Sequence, residues 1–235
     1  MFYLAVTGAE MANLPNLSEK TAYMACHFCP STPGISNIPG KLPPNSLLLL
    51  DDSIPPAEHD ARLVVSQLSQ AAQRLGCAGV YLDFQRPGYP LLAQIAAEAS
   101  KLSCPVAVSQ LYSSGNRLPA VLPPPPLDTP LAAYLSPWQG REIWLELALD
   151  AKQLTLTPKG CEESPLEAIQ SQGFFDKKLC CRSSVRTEKN AAIFSLWRTY
   201  EDILALSRLA ESLGVIHTLG LYRELKSHMQ RRKPP

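Results

Sequence analysis

GCAGVYLDFQRPGYP, residues 76–90, joins the end of one amphipathic segment to the start of another. Gly76 suits the C-cap of a preceding helix. GVYLDFQ (79–85) is an apolar run that turns polar at its carboxyl end, and Pro90 suits the first turn of a following helix. A helix, a short apolar run with a polar end, and another helix form the repeating unit of a parallel α/β sheet. There each strand is buried on both faces, and its carboxyl end presents the working side chains.

The same unit recurs on either side. FYLAVT (2–7), AYMACHF (22–28), SLLLLDD (46–52), PVAVSQLY (105–112), EIWLELAL (142–149), AAIFSLW (191–197) and VIHTLGLY (215–222) are further apolar runs without strict alternation. Helical spacing is predicted over 58–76 (Leu63, Leu68, Ala71, Ala72, Leu75), 90–103 (Leu91, Ile95, Ala99, Leu102) and 200–214 (Ile203, Leu206, Leu209, Ala210, Leu213), with a shorter candidate at 130–138. His59 falls in the first turn of its helix and reads as a surface residue. Eight strands with mostly helical connections predict a (β/α)8 TIM-type barrel, somewhat short against the typical ~250 residues. It is read as one domain over 1–228, followed by a basic tail, 229–235. Residues 150–190, with a helix-like SPLEAIQSQG, read as an insertion or hairpin between strands six and seven. LPAVLPPPPLDTP (118–130) reads as a rigid loop crossing the barrel mouth, with a polyproline ligand as the alternative. An open doubly wound sheet lacks support, since no GxGxxG follows the first run and no GxxxxGK[ST] occurs.

A chain of 235 residues with 46% hydrophobic and 18% charged residues folds around a core. Its net charge of +1 argues against a nucleic-acid or anionic-membrane surface. No apolar run approaches the ~20 residues of a membrane span. MFYLAVTGAEMANLP reads as a first strand, not a signal peptide, so a cytoplasmic location is expected. Seven scattered cysteines do not suggest a disulfide framework. CHFC (26–29), with His27 between Cys26 and Cys29, has the spacing of a zinc or redox pair. Zinc needs further ligands, and the adjacent Cys180 and Cys181 would point to opposite faces of a strand. Buried thiols are the preferred reading, with no metal and no cofactor expected.

In a barrel the chemistry lies at the carboxyl ends of the strands. Those ends carry Asp51 and Asp52, Asp83 and Gln85, Tyr112, Glu146, Arg198 with Glu201, and Tyr222. Carboxylates and amides bond sugar hydroxyls, and aromatic faces stack on sugar C–H faces.

AGVYLDFQ resembles the fourth-strand signature D-x-x-D-x-D-x-E of the family 18 glycoside hydrolases, the chitinase-like TIM barrels. Its four functional positions fall on Ala78, Tyr81, Asp83 and Gln85, so only the third acid is retained. RTYEDILALSRLAESLGV resembles the family's seventh strand and helix. GVIHTLGLYREL resembles its final strand, with Leu219 or Tyr222 near the usual tryptophan. The resemblance implies a glycan ligand, a final glutamate as general acid, and a neighbouring aspartate that helps the substrate's acetamido group act as nucleophile. Gln85 has no titratable proton, and general acid catalysis is worth about 10²–10⁴-fold. The expected function is therefore glycan or polar small-ligand binding by a barrel lacking the usual acid, lined by Asp83, Gln85, Tyr112, Glu146, Arg198 and Tyr222. Two alternatives stay open. One is an active glycoside hydrolase using Glu146 with Asp51 or Asp83. The other is a non-catalytic interaction scaffold. The expected partner is a carbohydrate or polar small molecule, with no nucleic acid and no membrane.

Overall fold

A computed structural model describes residues 1–12, 20–56, 60–115, 117–166 and 173–230. The strand β1 (Phe2–Val6) leads through α1 (Gly8–Ala12) to β2 (Lys20–Phe28), which carries the two-residue β3 (Ile35–Ser36) at its end. There follow β4 (Leu47–Asp51), α2 (Ala61–Leu75), β5 (Gly79–Asp83), α3 (Pro90–Ala99), β6 (Val106–Ser109), β7 (Ala120–Leu122), α4 (Leu131–Leu135) and β8 (Ile143–Leu147). An antiparallel group comes next: β9 (Ala151–Thr157), β10 (Gly160–Pro165), β11 (Phe174–Asp176), β12 (Cys181–Glu188) and β13 (Ala191–Trp197). The chain then returns through α5 (Tyr200–Ser212) to β14 (His217–Leu221) and α6 (Tyr222–Gln230).

Strands β1-β14-β8-β7-β6-β5-β4-β2 lie side by side, and β1 also pairs with β2. Every one of these pairings is parallel, so the sheet closes on itself as a (β/α)8-type barrel. Some helical connections are reduced; β6 passes to β7 through a single 3-10 turn at Gln110–Tyr112.

Two predicted segments change places. AAIFSLW (191–197), expected as barrel strand seven, is β13 of the separate five-stranded sheet. The missing barrel strand is β7, inside the proline-rich stretch read as a loop. It is only three residues long. Pro119 and Pro123 bracket it, and proline is tolerated at strand ends but not within a central strand. The insertion therefore follows barrel strand seven, β8, and spans the whole of Ala151–Trp197. His59, most of SPLEAIQSQG and the tail beyond Gln230 lie outside the described residues.

Strand alternation divides the barrel's apolar residues into an interior set and two outer ones. Tyr3, Leu47, Leu49, Tyr81, Ala107, Val121, Trp144 and Leu219 fill the barrel interior. On the outer face, Leu48, Leu50, Val80, Leu82 and Val108 pack against Val64, Leu68, Ile95 and Ala99 of α2 and α3. Leu4, Val6, Leu122, Leu145 and Leu147 pack against Leu131, Ile203, Leu206 and Leu225 of the later helices. At the amino-terminal end of the interior, the His217 ring meets Trp144 edge-on at 4.6 Å and Tyr3 at 5.2 Å. This end is closed by rings, which leaves the carboxyl end for a ligand. Gly79 lets β5 approach β6, because a Cβ there would stand 2.7 Å from the Pro105 carbonyl oxygen.

The helix ahead of β5 is bounded by local chemistry. The Asp60 carboxylate accepts the Arg62 backbone N–H at 3.0 Å, and Gly76 ends α2 in the left-handed conformation at φ 63°. Asp60→Ala is predicted to lower stability by about 1 kcal/mol, read as a lower urea midpoint at unchanged m. An unchanged midpoint would show that the cap contributes nothing. Among the described residues no helix is long and apolar enough to cross a membrane.

Candidate functional site

Alternation along β5 decides which side chains reach the barrel mouth. Val80, Leu82 and Phe84 point outward into the helical layer, so Tyr81, Asp83 and Gln85 share the inward face. They meet Glu146, which comes from β8, three strands around the ring. Together with Ala5, Met24, Leu49, Pro124, Leu219, Leu221 and Arg223 they line a cavity of about 240 Å³.

A hydrogen-bonded chain runs across this cavity. The Tyr81 hydroxyl lies 2.9 Å from Glu146 Oε1 and 3.2 Å from Asp83 Oδ1. Gln85 Nε2 donates to the same Asp83 oxygen at 2.5 Å. Tyr81 has one proton to give, and two carboxylates compete for it. Burial raises the carboxyl of Asp83, against the lowering effect of the Gln85 and Tyr81 bonds, and nearby Asp51 and Asp52 add to the rise. Glu146 is pushed up to about 7, first by burial and then by the Asp83 charge, with the Tyr81 bond opposing. A carboxyl in that range exchanges its proton near neutrality. Burial and the two acids drive the Tyr81 phenol well above its ordinary value, so it remains a donor.

The backbone beyond β5 is fixed by Asp52. This buried carboxylate accepts the Gln85 N–H at 3.0 Å and the Arg86 N–H at 2.8 Å. Asp52 is thus occupied in holding the turn. Asp51 pairs in register with Asp83 but bonds the other way, to His27 Nδ1 at 2.7 Å and the Ser53 hydroxyl at 2.5 Å.

Three residues expected at the mouth do not line this cavity. Tyr112 packs edge-on against Phe84 at 5.8 Å; its hydroxyl donates to the Arg86 carbonyl and accepts the Tyr89 N–H. It tethers the β5–α3 loop. Arg198 is 2% exposed and donates to the carbonyls of Cys180, Pro125, Pro126 and Leu179. It joins the inserted sheet to the proline loop. Tyr222 is buried in the outer cluster with Leu4, Val6 and Ile203, while its neighbours Leu221 and Arg223 face the cavity. Asp202 forms the capping box of α5 with Thr199 and also binds Arg182 at 3.1 Å.

Cys26 is buried, and its thiol is pushed up to about 12 chiefly by burial. Cys29 lies in the following loop, where the Thr32 hydroxyl bond lowers its thiol to about 7. Among the described residues, no three or more His, Cys, Asp or Glu side chains are grouped to hold a metal.

Reading strand ends alone overlooked Tyr81. For Tyr81 the signal was available, since it is two residues before Asp83 and shares its face. Arg223 directly follows the last apolar run, so the sequence places it at the end of the final strand; it lies in the first turn of α6.

No family model matches the sequence, and no curated protein matches it. Solved structures do. The chitinase-like agglutinin of Robinia pseudoacacia superposes with a TM-score of 0.56 at 14% identity, covering 93% of each chain. A family 18 chitinase of Cycas revoluta, solved with (GlcNAc)4, gives 0.54 at 11% identity, over 93% of this chain and 94% of that one. The spore cortex-lytic enzyme SleL of Bacillus cereus gives 0.54 at 10% identity, over 93% of this chain and 69% of its own. The barrel expected from the family resemblance is thus the fold these structures share. At such identities the likeness is one of fold.

Proposed function

We propose that this chain, which has the barrel fold of the family 18 glycoside hydrolases, binds a glycan or a similar polar ligand in the β5–β8 cavity without efficient hydrolysis. The observation that carries this reading is the cavity itself. Asp83, Tyr81, Gln85 and Glu146 converge on it, and an amide stands where the resemblance calls for the general acid. The pairing of acceptors and donors suits sugar hydroxyls, and Leu49, Leu219 and Leu221 give the hollow apolar walls. Its volume of about 240 Å³ lies below the ~300–1,000 Å³ of drug-sized sites, so a single sugar unit or the end of a glycan is the fitting occupant. A chitinase-like agglutinin and a chitinase solved with (GlcNAc)4 share the fold, which supports a carbohydrate over other polar ligands.

Chito-oligosaccharides are predicted to raise the melting temperature. A ligand at 100 times its Kd adds about 2.7 kcal/mol. Asp83→Ala, which removes the acceptor shared by Tyr81 and Gln85, is expected to abolish the shift while the variant stays folded. Silence across a broad glycan panel would dismiss the proposal.

A further inference from the structure

We propose that this cavity selects a sugar unit bearing a free ammonium, a 2-amino-2-deoxyhexose, over its N-acetylated form, with Asp83 and Glu146 holding the cation between them. The inference rests on the glycan-binding reading and narrows it to one class of glycan.

The donors and acceptors around the cavity do not balance. Asp83 receives one bond from Gln85 and shares the Tyr81 hydroxyl with Glu146. Among the described residues, Glu146 has no donor besides that hydroxyl. Two carboxylates thus draw on two protein donors, although each can accept several bonds. Other groups near the pair do not make up the difference. The Tyr134 hydroxyl, close enough to feel the Glu146 charge, donates to the Pro123 carbonyl at 2.9 Å. Asp51 and Asp52 add negative charge next to Asp83. Among the described residues, Arg223 is the one cationic side chain on the lining, and it lies exposed at the rim.

An acetamido group answers this poorly. It brings one N–H and also a carbonyl oxygen, which a pair of carboxylates repels. An ammonium brings three donors and a charge, and it meets two partly buried carboxylates. Its arrival displaces the proton that Glu146, titrating near 7, retains in the empty site. Binding is therefore coupled to proton release, and the preference shrinks as acid neutralises Glu146.

The test is calorimetry at pH 7 in two buffers of different ionisation heat, with the glucosamine disaccharide against its di-N-acetylated form. The amino form is expected to bind roughly tenfold tighter or better, the scale of one hydrogen bond to a charged group, with proton release from Glu146 once the uptake by the sugar's own amine at that pH is subtracted. At pH 5 the gap is expected to narrow. Glu146→Gln should lose the preference, bringing the ratio of amino to acetylated affinity down to about one. Equal affinities at pH 7, or a preference that survives Glu146→Gln, would overturn the inference while leaving glycan binding intact. Failure of both sugars to bind the unaltered protein would remove the glycan reading as well. Cyclohexylamine serves as the sugar-free cation, and its binding as tightly as the amino disaccharide would also overturn the assignment.

Discussion

Gln85→Glu is expected to raise hydrolysis of chito-oligosaccharides over the unaltered chain by about 10²–10⁴-fold, the worth of a positioned general acid. The expectation rests on three features of the turn after β5. First, the backbone there is held by Asp52 through the N–H groups of residues 85 and 86, so the new side chain starts from the same place. Second, Gln85 Nε2 stands 2.5 Å from Asp83 Oδ1. Two carboxyl groups at that separation do not both ionise, and one keeps its proton near neutral pH. Third, both residues line the cavity, where a leaving oxygen would lie. The check is turnover of a chito-oligosaccharide by purified variant and parent. No gain in rate, with binding retained, would mean that a proton donor is not all the site lacks. Tyr81, which occupies a second acidic position of the family motif, would then be the next residue to change. Turnover by the parent that Glu146→Gln abolishes would instead favour Glu146 and Asp83 as a working pair. The Tyr81 hydroxyl stands between those two carboxylates, in the space where an inverting enzyme keeps its water.

The residues that were legible in the sequence are those whose position follows from local rules. The segment 79–85 could be placed because a helix cap precedes it, a proline-led helix follows, and its apolar run fits a strand buried on both faces. Once the barrel is granted, Glu146 shares an inward face with Trp144 by the same alternation. The inserted sheet misled for the opposite reason. Ile193, Leu196 and Trp197 are buried in β13, so its run is as apolar as a barrel strand, and nothing local shows that its partners are antiparallel. β7 is too short to show a period at all. Tyr112 and Arg198 follow the carboxyl ends of their runs, as site residues do. Where their side chains go depends on a loop carbonyl in one case and four in the other, and these come from segments distant along the chain.

Arg198 accordingly carries the largest stability prediction. Its guanidinium is buried and, among the described residues, forms no ion pair; it is bonded to backbone carbonyls at 2.8 Å (Pro125), 3.3 Å (Cys180 and Pro126) and 3.4 Å (Leu179). Burial lowers its pKa, so the protein bears a desolvation cost that those carbonyls offset. Arg198→Ala removes the donor to all four carbonyls at once and leaves a void. The expected loss is about 3–5 kcal/mol, within the range for breaking a buried charged network. Arg198→Lys should recover only part of it, because an ammonium has three donors and lacks the planar fork. The measurement is the free energy of urea unfolding. Amide exchange should accelerate first in β12 and β13, the strands this side chain ties to the proline loop. Ligand affinity of the folded variant should change little, since Arg198 does not line the cavity. A loss below about 1 kcal/mol would put it among ordinary surface substitutions and sink the view that this residue holds the insertion to the barrel. A selective loss of binding at full stability would return Arg198 to the site.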